Sequence, residues 1–477
     1  MSKIQLKNLT YGFDIQGRML FDHANITIQT TWKLGLIGRN GRGKTTLLRL
    51  IQGELPYEGK IEHQTEFLYF PQDITDATNM TYQVLEGFEE IEFWKLEREL
   101  QLLEVNPDVL WLPYEQLSGG EQTKVLLAVL FAQESGFPLM DEPTNHLDHA
   151  ARQIVANYLK SKKQGFILVS HDRQLVDDVV DHILSIERSQ LVLHQGNFSQ
   201  YEQEKKRRDD FEMANNIKIK KEISRLNQTA LEKAQWSGAR EKEKSGNPKK
   251  KGSGAVFDKG FIGAKAAATM KRSKAIEHRM EAQISQKETL LKNLEKVDTL
   301  AIHARPTHRK QIVKVENFQL CYGEKTLFQP ISFELNVGDC LALIGKNGSG
   351  KTSFLRFLMG EFTGEVRGQY SFYEPSVISL VRQDFTTNQG TVKNFCEKEG
   401  LEEQELLHYL RKLGVEREVF LNNIADMSQG QQKRLEIAKA MLKPAELFIW
   451  DEPLNYLDVV NHQQLEAAIL KARPTMI

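Results

Sequence analysis

Two copies of the same short motifs occur in this chain, and this repeat constrains the fold more than any other feature. The segment Gly38–Thr45 (GRNGRGKT) recurs as Gly345–Thr352 (GKNGSGKT). The segment Asp141–Asp148 (DEPTNHLD) recurs as Asp451–Asp458 (DEPLNYLD). Because motifs repeat in the same order, the sequence predicts two homologous domains. The predicted domains cover residues 1–203 and 312–477.

The glycine-rich segments are predicted to bind nucleotide phosphates. The first follows an apolar run, residues 34–37, and precedes an apolar helical pattern, residues 46–50, which is the strand–loop–helix order of a P-loop. Backbone N–H groups at such a helix start surround phosphate oxygens. Lys44 and Lys351 are predicted to reach the β- and γ-phosphates, and the hydroxyls of Thr45 and Thr352 to ligate Mg²⁺. The same loops and helix starts supply Gly38, Asn40, Gly41, Gly43, Thr46, Gly345, Asn347, Gly348, Gly350 and Ser353 as further nucleotide-binding candidates.

An Asp-Glu pair follows an apolar strand in each copy. Asp141 and Asp451 end these strands, where a carboxylate can hold Mg²⁺ through water. Glu142 and Glu452 come next and are predicted to polarise the attacking water. An isolated Asp-Glu pair is usually a solvated strand end, but its position about 97 residues after a P-loop lysine favours catalysis.

A third motif lies between the other two. Leu117–Gln122 (LSGGEQ) recurs as Met427–Gln432 (MSQGQQ), and 23 residues separate its serine from the following Asp in both copies. Serine hydroxyls and glycine N–H groups at a helix start suit an anion contact. Together the motifs resemble those of the ATP-binding cassette family. The resemblance covers about three quarters of the chain and implies an α/β fold with two tandem P-loop cassette domains and ATPase activity.

In that family, the signature motif of one cassette caps the ATP held by the P-loop of the other. The resemblance therefore implies a head-to-tail pairing of the two cassettes within one monomeric chain, with ATP and Mg²⁺ as cofactors. Site one would combine Lys44, Thr45, Gln72, Asp141, Glu142 and His171 with Ser428 and Gly430. Site two would combine Lys351, Thr352, Gln383, Asp451 and Glu452 with Ser118, Gly119 and Gly120.

Other family positions are assigned one at a time. Tyr11 and Tyr322 lie where the family stacks an aromatic ring on adenine, although each could also be a half-buried strand tyrosine. Gln72 and Gln383 correspond to the glutamine that touches Mg²⁺ and water. His171, which follows Ile167-Leu168-Val169-Ser170, corresponds to the switch histidine at the γ-phosphate.

Two departures from the family pattern are visible. Gln429 replaces the glycine found at position 119, so the cap over site one is expected to be less snug. The counterpart of His171 would fall at about position 481, beyond Ile477. We therefore expect that the sequence is truncated or that its tail is not represented.

The segment between the repeats, residues 204–311, is predicted to be a two-helix, coiled-coil-like hairpin. Narrow apolar stripes occur over 203–236 and 264–297, each flanked by charge. Residues 237–263 hold six glycines and one proline and are predicted to form the loop at its tip, near 240–263. Residues 201–300 contain 24 Lys and Arg against 15 Asp and Glu, although the whole chain has a net charge of -1.

Tandem cassettes joined by such a linker resemble the ABC-F family, which binds the ribosome at the tRNA exit site. The segment 196–201 (GNFSQY) is similar to the linker start of ABC-F proteins. The Lys-rich linker with its long Gly-rich tip and the segment Asp451–Asp458 resemble the Lsa/Vga antibiotic-resistance group of that family. This resemblance implies protection of the ribosome from lincosamides, pleuromutilins and streptogramin A by promoting drug release. The implied partners are large-subunit rRNA near the exit site and the P-site tRNA, and the implied location is cytoplasmic and ribosome-associated.

The linker tip is the predicted functional end. Residues 240–279 hold 12 Lys and Arg against four Asp and Glu, a balance that favours contact with RNA phosphates. Phe257 and Phe261 could stack on unpaired bases, with Lys244 and Lys259 beside them. A charge run by itself is usually just a solvated face.

Two other functions remain open: a housekeeping ABC-F translation factor, and a cassette pair that serves a separate transporter. No run of about 20 apolar residues indicates a membrane span, so a membrane partner is not expected. The three cysteines lack CxxC spacing, which argues against a zinc cluster.

Overall fold

The computed structural model divides into two compact units, which are residues 1–201 together with 297–477, and residues 202–296. Both motif repeats therefore lie in one unit. No helix in the described part of the chain is both long enough and apolar enough to cross a membrane. The structure describes all residues except 1, 14–17, 89–91, 134, 146, 188, 244–278, 280–297, 374, 376 and 386.

The first repeat contains two sheets with helices around them. Its strands are β1 (Lys3–Phe13), β2 (Arg18–Gln29), β3 (Lys33–Ile37), β4 (Glu58–Glu62), β5 (Phe67–Phe70), β6 (Phe137–Asp141), β7 (Phe166–Val169), β8 (His182–Glu187) and β9 (Gln190–Gln195). Its helices are α1 (Lys44–Gln52), α2 (Thr81–Glu86), α3 (Phe93–Leu102), α4 (Gly119–Ala132), α5 (His149–Ser161) and α6 (Arg173–Val179), with 3-10 helices at Pro107–Trp111 and Tyr114–Gln116.

The larger sheet has the order β5-β6-β7-β3-β8-β9, and all its pairs are parallel except β8–β9. Strand β7 shows why the strands of this sheet are continuous apolar runs. Phe166 and Leu168 join the core formed with α4, α5 and α6, whereas Ile167 and Val169 join the core formed with α1, β1 and β2. Both faces of a parallel sheet are covered, so both sets of side chains must be apolar. The smaller antiparallel sheet has the order β2-β1-β4.

Helix α7 (Phe198–Glu243) begins five residues before the predicted linker helix and ends seven residues after it. The prediction that residues 237–243 belong to the tip loop is wrong. Gly238 alone costs a helix only about 1 kcal/mol, and the other residues there are tolerated or favoured in helices. The dense Gly and Pro cluster starts only at Gly246. The predicted second helix, 264–297, lies outside the described residues except for Arg279.

From its P-loop helix onward, the second repeat follows the order of elements that the first repeat shows from α1 to α5. Its strands are β10 (Gln311–Tyr322), β11 (Lys325–Thr326), β12 (Ile331–Asn336), β13 (Glu365–Phe372), β14 (Ile378–Val381) and β15 (Leu447–Trp450). Its helices are α8 (Lys351–Leu358), α9 (Val392–Glu399), α10 (Glu403–Lys412), α11 (Gln429–Leu442) and α12 (Val459–Ala472), with 3-10 helices at Arg417–Leu421 and Ile424–Asp426. The α/β fold with two tandem cassettes, predicted from the motifs, is confirmed.

The segment before the second P-loop differs from its counterpart β3. Residues 341–346 form no strand, and Ile344 is 81% exposed, whereas Ile37 at the matching position is 7% exposed. Strand β3 has neighbours on both edges, β7 and β8. In the second repeat the N–H of Leu341 donates to the carbonyl of Met476, but the described residues supply no strand on the other edge. Without that pairing, the segment does not form a regular strand.

Residues 298–310 belong to the compact unit of the repeats, although the sequence placed them in the linker. Leu300 and Ile302 are buried among α9, α10 and α11. The N–H of Arg305 donates to the carbonyl of Ala445 at 2.8 Å. Leu300 and Ile302 come shortly after the apolar stripe of the predicted second linker helix, but they pack in the core of the second repeat.

Candidate functional site

The first P-loop bends sharply between β3 and α1. Gly41 and Gly43 have φ values of 78° and 89°, a left-handed conformation that favours glycine. The ammonium of Lys44, the first residue of α1, donates to the carbonyl of Gly38 at 2.9 Å and to Oδ1 of Asn40 at 3.1 Å. Its charge therefore lies over the loop that would hold phosphates. Burial lowers the pKa of Lys44, although Glu142 acts to raise it.

A group of oxygen atoms lies next to this loop at the carboxyl ends of β5 and β6. The hydroxyl of Thr45 donates to Oδ2 of Asp141 at 2.5 Å, and the Tyr69 hydroxyl donates to the same oxygen at 3.3 Å. Oε1 of Gln72 is buried and accepts no hydrogen bond from any described residue. Carboxylate, hydroxyl and amide oxygens are ligands that Mg²⁺ accepts, so this set of residues fits the ion.

Glu142 and His171 face each other across the ends of β6 and β7. The backbone N–H of His171 donates to Oε2 of Glu142 at 3.3 Å, and His171 Nε2 lies 3.4 Å from Oε1. Burial raises the pKa of Glu142 to about 8, against the opposing effect of Lys44. Burial, followed by the charge of Lys44, lowers the pKa of His171 well below its ordinary value. Neutral His171 and a carboxyl that titrates near neutral pH suit proton transfer.

This shift in the pKa of Glu142 predicts a pH-dependent stability. Between its ordinary value of 4.5 and about 8, folded nucleotide-free protein holds a proton on Glu142 that the unfolded chain does not. Raising the pH toward 8 therefore lowers the free energy of unfolding. Glu142→Gln, which mimics the protonated form, should be more stable than the parent near pH 8.5, with a smaller difference near pH 6.5. Urea unfolding with a chelator and without nucleotide measures this.

Glu62→Gln is a suitable control for the pH experiment. Glu62 is a surface residue whose pKa is lowered to about 2 by hydrogen bonds from Lys60 and Lys7. Its carboxyl is ionised in both folded and unfolded protein throughout this range. The stability difference between Glu62→Gln and the parent should therefore not change with pH. A similarly constant difference for Glu142→Gln would contradict the predicted protonation.

The second P-loop repeats the geometry of the first. The ammonium of Lys351, at the start of α8, donates to the carbonyls of Gly345 and Lys346 at 2.8 and 3.0 Å. Gly348 and Gly350 have φ values of 76° and 92°. Asn347 lies in this loop, and Thr352 and Ser353 follow Lys351 in the first turn of α8, as Thr45 and Thr46 follow Lys44 in α1.

The acidic residues of the second repeat make a different contact. The Thr352 hydroxyl donates to Oδ2 of Asp451 at 3.1 Å, as in the first repeat. Here, however, Nε2 of Gln383 donates to Oε2 of Glu452 at 3.1 Å. Burial raises the pKa of Asp451. The glutamine and the catalytic candidate are therefore in direct contact only in this repeat, among the described residues.

Each P-loop is bound by an aspartate of the other repeat. The N–H of Asn40 donates to Oδ2 of Asp458 at 2.9 Å, and the N–H of Asn347 donates to Oδ2 of Asp148 at 3.2 Å. A Cβ atom added to Gly430 would lie 3.7 Å from Nδ2 of Asn40. The signature loop of the second repeat thus lies beside the first P-loop, as a head-to-tail pairing requires.

The signature serines cap their own helices in this structure. Ser118 Oγ accepts from the N–H of Glu121, and the Glu121 carboxylate accepts from the N–H of Ser118. Ser428 and Gln431 form the same pair in front of α11. Replacing the carboxylate by an amide removes one negative charge from the signature that faces site one. A helix N-terminus attracts anions, and a carboxylate beside it opposes that attraction. The first signature has this carboxylate and the second has a neutral amide, so the two signatures differ electrostatically.

The structure does not bring every candidate to a phosphate loop. Tyr11 is half-buried on β1, and Tyr322 is 42% exposed with its ring 5.0 Å from that of Phe362. Gly119 and Gly120 open α4, and Gly120 has Leu147 rather than the second P-loop as its near neighbour. The tip candidates Lys244, Phe257, Lys259 and Phe261 lie outside the described residues.

Sequence reasoning missed several residues that complete these sites. Asp148 and Asp458 recur at the same place in both repeats, seven residues after Asp141 and Asp451, and that recurrence is a signal that could have identified them. Tyr69 carried no such signal because Leu380 takes its place in the second repeat.

Comparison with known proteins agrees with this geometry. Residues 21–145 and 328–455, more than half of the chain, match the family model described as ABC transporter. The chain is 28% identical to the ribosome protection protein VmlR of Bacillus subtilis, over 99% of this chain and 83% of that protein. It is 26% identical to the energy-dependent translational throttle protein EttA of Haemophilus influenzae, over 92% of this chain and 82% of that protein.

The same fold occurs in a solved structure of the archaeal ribosome recycling factor aABCE1 in complex with the ribosomal stalk protein aP1. The match has a TM-score of 0.63 and 18% identity, and covers 98% of this chain and 83% of that chain. At this level of identity, the similarity concerns the arrangement of the chain in space.

Proposed function

The chain belongs to the ABC family of ATP-binding cassette ATPases, in its ABC-F branch, and on that basis we propose that both repeats contribute to each of its two ATP sites. The observation that carries this proposal is the reciprocal pair of hydrogen bonds from Asn40 to Asp458 and from Asn347 to Asp148. These bonds place each P-loop against the other repeat. ATP bound there would hold the two repeats together until hydrolysis.

Site one is proposed to work as follows. Mg²⁺, held by Thr45, Asp141 and Gln72, would neutralise charge on the phosphates. Lys44 leaves the Gly38 carbonyl and binds phosphate oxygens with its ammonium. Glu142 would accept the proton of the attacking water on a carboxylate oxygen when it is ionised, which is the role of a general base. Neutral His171 orients Glu142 through the contacts described above.

Site two has the same parts with one difference. Thr352, Asp451 and Gln383 would hold Mg²⁺, and Lys351 would bind the phosphates. Glu452 takes the role of base and is oriented by Gln383, which donates to it at 3.1 Å. The two sites therefore hold the catalytic glutamate through different neighbours.

The partner is proposed to be the bacterial ribosome, near the tRNA exit site. Similarity to VmlR along nearly the whole chain supports a role in protecting the ribosome from antibiotics that bind the peptidyl-transferase centre. The excess of lysine and arginine in residues 240–279 supports contact with rRNA and tRNA phosphates. Similarity to EttA favours the alternative, a translation factor that regulates elongation without resistance.

Ribosome co-sedimentation tests the choice of partner. Protein with hydrolysis blocked should pellet with 70S ribosomes in ATP, and the pelleted fraction should fall without nucleotide. Both ribosome-directed functions require this result. Protein that stays in the supernatant under both conditions would favour the transporter alternative.

Deleting residues 245–258 distinguishes resistance from regulation. We expect a drug-sensitive host that expresses the deletion variant to lose resistance, because the deletion removes aromatic and basic side chains of the proposed tip. ATPase activity should remain within about twofold, since the deletion lies far in sequence from the residues of both ATP sites. Growth across a series of drug concentrations measures the first effect. Single replacements of Phe257, Phe261 and Lys259 then test each tip candidate separately.

Full resistance with the deletion would contradict the tip proposal. A replacement that reinstates the length with Gly and Ser provides the matched control, since it keeps the loop long but removes its aromatic and basic side chains. This control should also be sensitive to the drug. Resistance restored by length alone would mean that the side chains are unimportant.

A further inference from the structure

A buried lysine in the second repeat joins two strand ends that carry site-two residues. Lys433 lies in the second turn of α11 and is 1% exposed. Its ammonium donates to the carbonyl of Arg382 at 3.2 Å and to the carbonyl of Asp451 at 3.3 Å. Arg382 directly precedes Gln383, and Asp451 directly precedes Glu452. One ammonium group therefore bridges the ends of two strands. The residues that follow these ends, Gln383 and Glu452, are the pair in contact at site two.

This bridge extends the pairing of β14 and β15 beyond the sheet. Val381 and Trp450 are the last paired residues, and the N–H of Asp451 still donates to the carbonyl of Val381 at 2.9 Å. Past this point Glu452 has a φ of 45°, which lies outside the extended conformation of a strand. The ammonium of Lys433 donates to a backbone carbonyl on each of the two segments, at the place where the pairing of β14 and β15 ends.

The side chain of Arg382 is held by the same helix. Glu436, one turn after Lys433 and fully buried, accepts from Arg382 Nε at 3.0 Å. It also accepts from Asn388 at 2.9 Å and Lys439 at 2.6 Å. Because charge-assisted bonds are stronger than neutral ones, Arg382 is fixed at both its carbonyl and its guanidinium. The residue before Gln383 thus has little freedom to move.

The first repeat lacks this arrangement at every matching position. Thr123, Pro71 and Leu126 stand where the second repeat has Lys433, Arg382 and Glu436. The hydroxyl of Thr123 donates only to the carbonyl of Gly119 in its own helix, at 2.9 Å. Correspondingly, Nε2 of Gln72 lies 3.4 Å from the carbonyl of Leu126 instead of donating to Glu142.

We propose that Lys433 is a positioning residue for site two, which holds Gln383 against Glu452 by binding the carbonyls of the residues that precede them. This inference rests on the proposed composite ATP sites. Helix α11 also begins at the signature that faces site one, so the same helix supports turnover at one site and the cap of the other. The described residues of the first repeat form no equivalent bridge, and the two sites therefore differ in what fixes their glutamates.

Single-site variants allow each site to be measured alone. Glu142→Gln leaves site two to turn over ATP, and Glu452→Gln leaves site one. In the Glu142→Gln protein, Lys433→Met should lower kcat by about tenfold or more, because a shift of about 1 Å in a catalytic group has effects of this size. KM for ATP should stay within about twofold, since Lys351 and its loop are untouched. In the Glu452→Gln protein, Lys433→Met should change kcat by less than about twofold.

Two further variants separate positioning from folding. Lys433→Gln keeps N–H donors for the carbonyls, and kcat at site two should return to within about threefold of its parent. Thr123→Val removes the matching side-chain donor of the first repeat and should leave both sites within about twofold. Thermal unfolding of every variant is compared in parallel. If Lys433→Met unfolds at the assay temperature, Lys433→Thr replaces it, because threonine is the matching residue of the first repeat. The same changes in kcat and KM are then expected for Lys433→Thr.

Three results would overturn the inference: unchanged kcat at site two, equal losses at both sites, or unfolding of both Lys433→Met and Lys433→Thr. Failure of the proposed sites gives a different result. If the protein carrying both Glu142→Gln and Glu452→Gln still hydrolyses ATP at the parent rate, the catalytic assignment is wrong whatever Lys433 does.

Discussion

Replacing Glu142 and Glu452 together by glutamine is expected to lower ATP hydrolysis by about 10²–10⁴-fold, the usual contribution of a general base. The amide keeps the shape of the side chain but cannot accept a proton from water. Nucleotide binding should persist, because Lys44, Lys351 and both loops are unchanged. The protein should therefore remain on ribosomes in ATP. Phosphate release and co-sedimentation measure the two effects.

The control for each member of this pair is Glu62→Gln, which replaces one carboxylate at the surface. It should hydrolyse ATP at the parent rate. Each single variant should retain turnover at the other site. Native hydrolysis by the double variant would contradict the catalytic roles, and loss of ATP binding would show that the carboxylates act in binding instead.

Asp458→Ala is expected to destabilise the protein by about 3–5 kcal/mol, since it leaves a buried charge without its partner. Asp458 is 3% exposed, and its Oδ2 lies 3.6 Å from Arg434, which is 4% exposed. Burial acts to raise the pKa of Asp458, but Arg434 and the N–H groups of Asn40 and Asn461 outweigh it, so the pKa lies below its ordinary value. One side chain thus caps α12, neutralises an arginine and binds the first P-loop. Urea unfolding followed by circular dichroism measures the loss.

Asp148→Ala is the matched comparison, because Asp148 caps α5 and binds Asn347 in the same way. It is more exposed, and its loss should cost about 1 kcal/mol, as for other helix caps. Adding Arg434→Met to Asp458→Ala should restore part of the stability by removing the unpaired charge. Equal costs for the two aspartates, or no recovery in the double variant, would contradict this account.

Several elements could be predicted because local physics requires them. The order of residues predicts the first P-loop, because an apolar strand is followed by glycines and then by a helix. Gly41 and Gly43 have the positive φ values that such a turn requires. Continuous apolar runs likewise identify β6, β7 and β15, since the strands of a parallel sheet covered on both faces have no polar side. The sequence prediction ends α7 seven residues too early, because it gives Gly238 more weight than the helix-forming residues that follow it.

The sequence by itself determined that this chain has two P-loop cassettes and which residues stand at their loops and strand ends, because these follow from short-range spacing and from the repeat. The tertiary structure alone decided how the repeats meet. Asp458 and Asn40 are far apart in sequence, and only the folded chain brings them within 2.9 Å. The pKa of Glu142 and the bridge made by Lys433 also arise from burial against distant segments. Desolvation and contact between remote residues depend on the whole fold, and no local pattern encodes them.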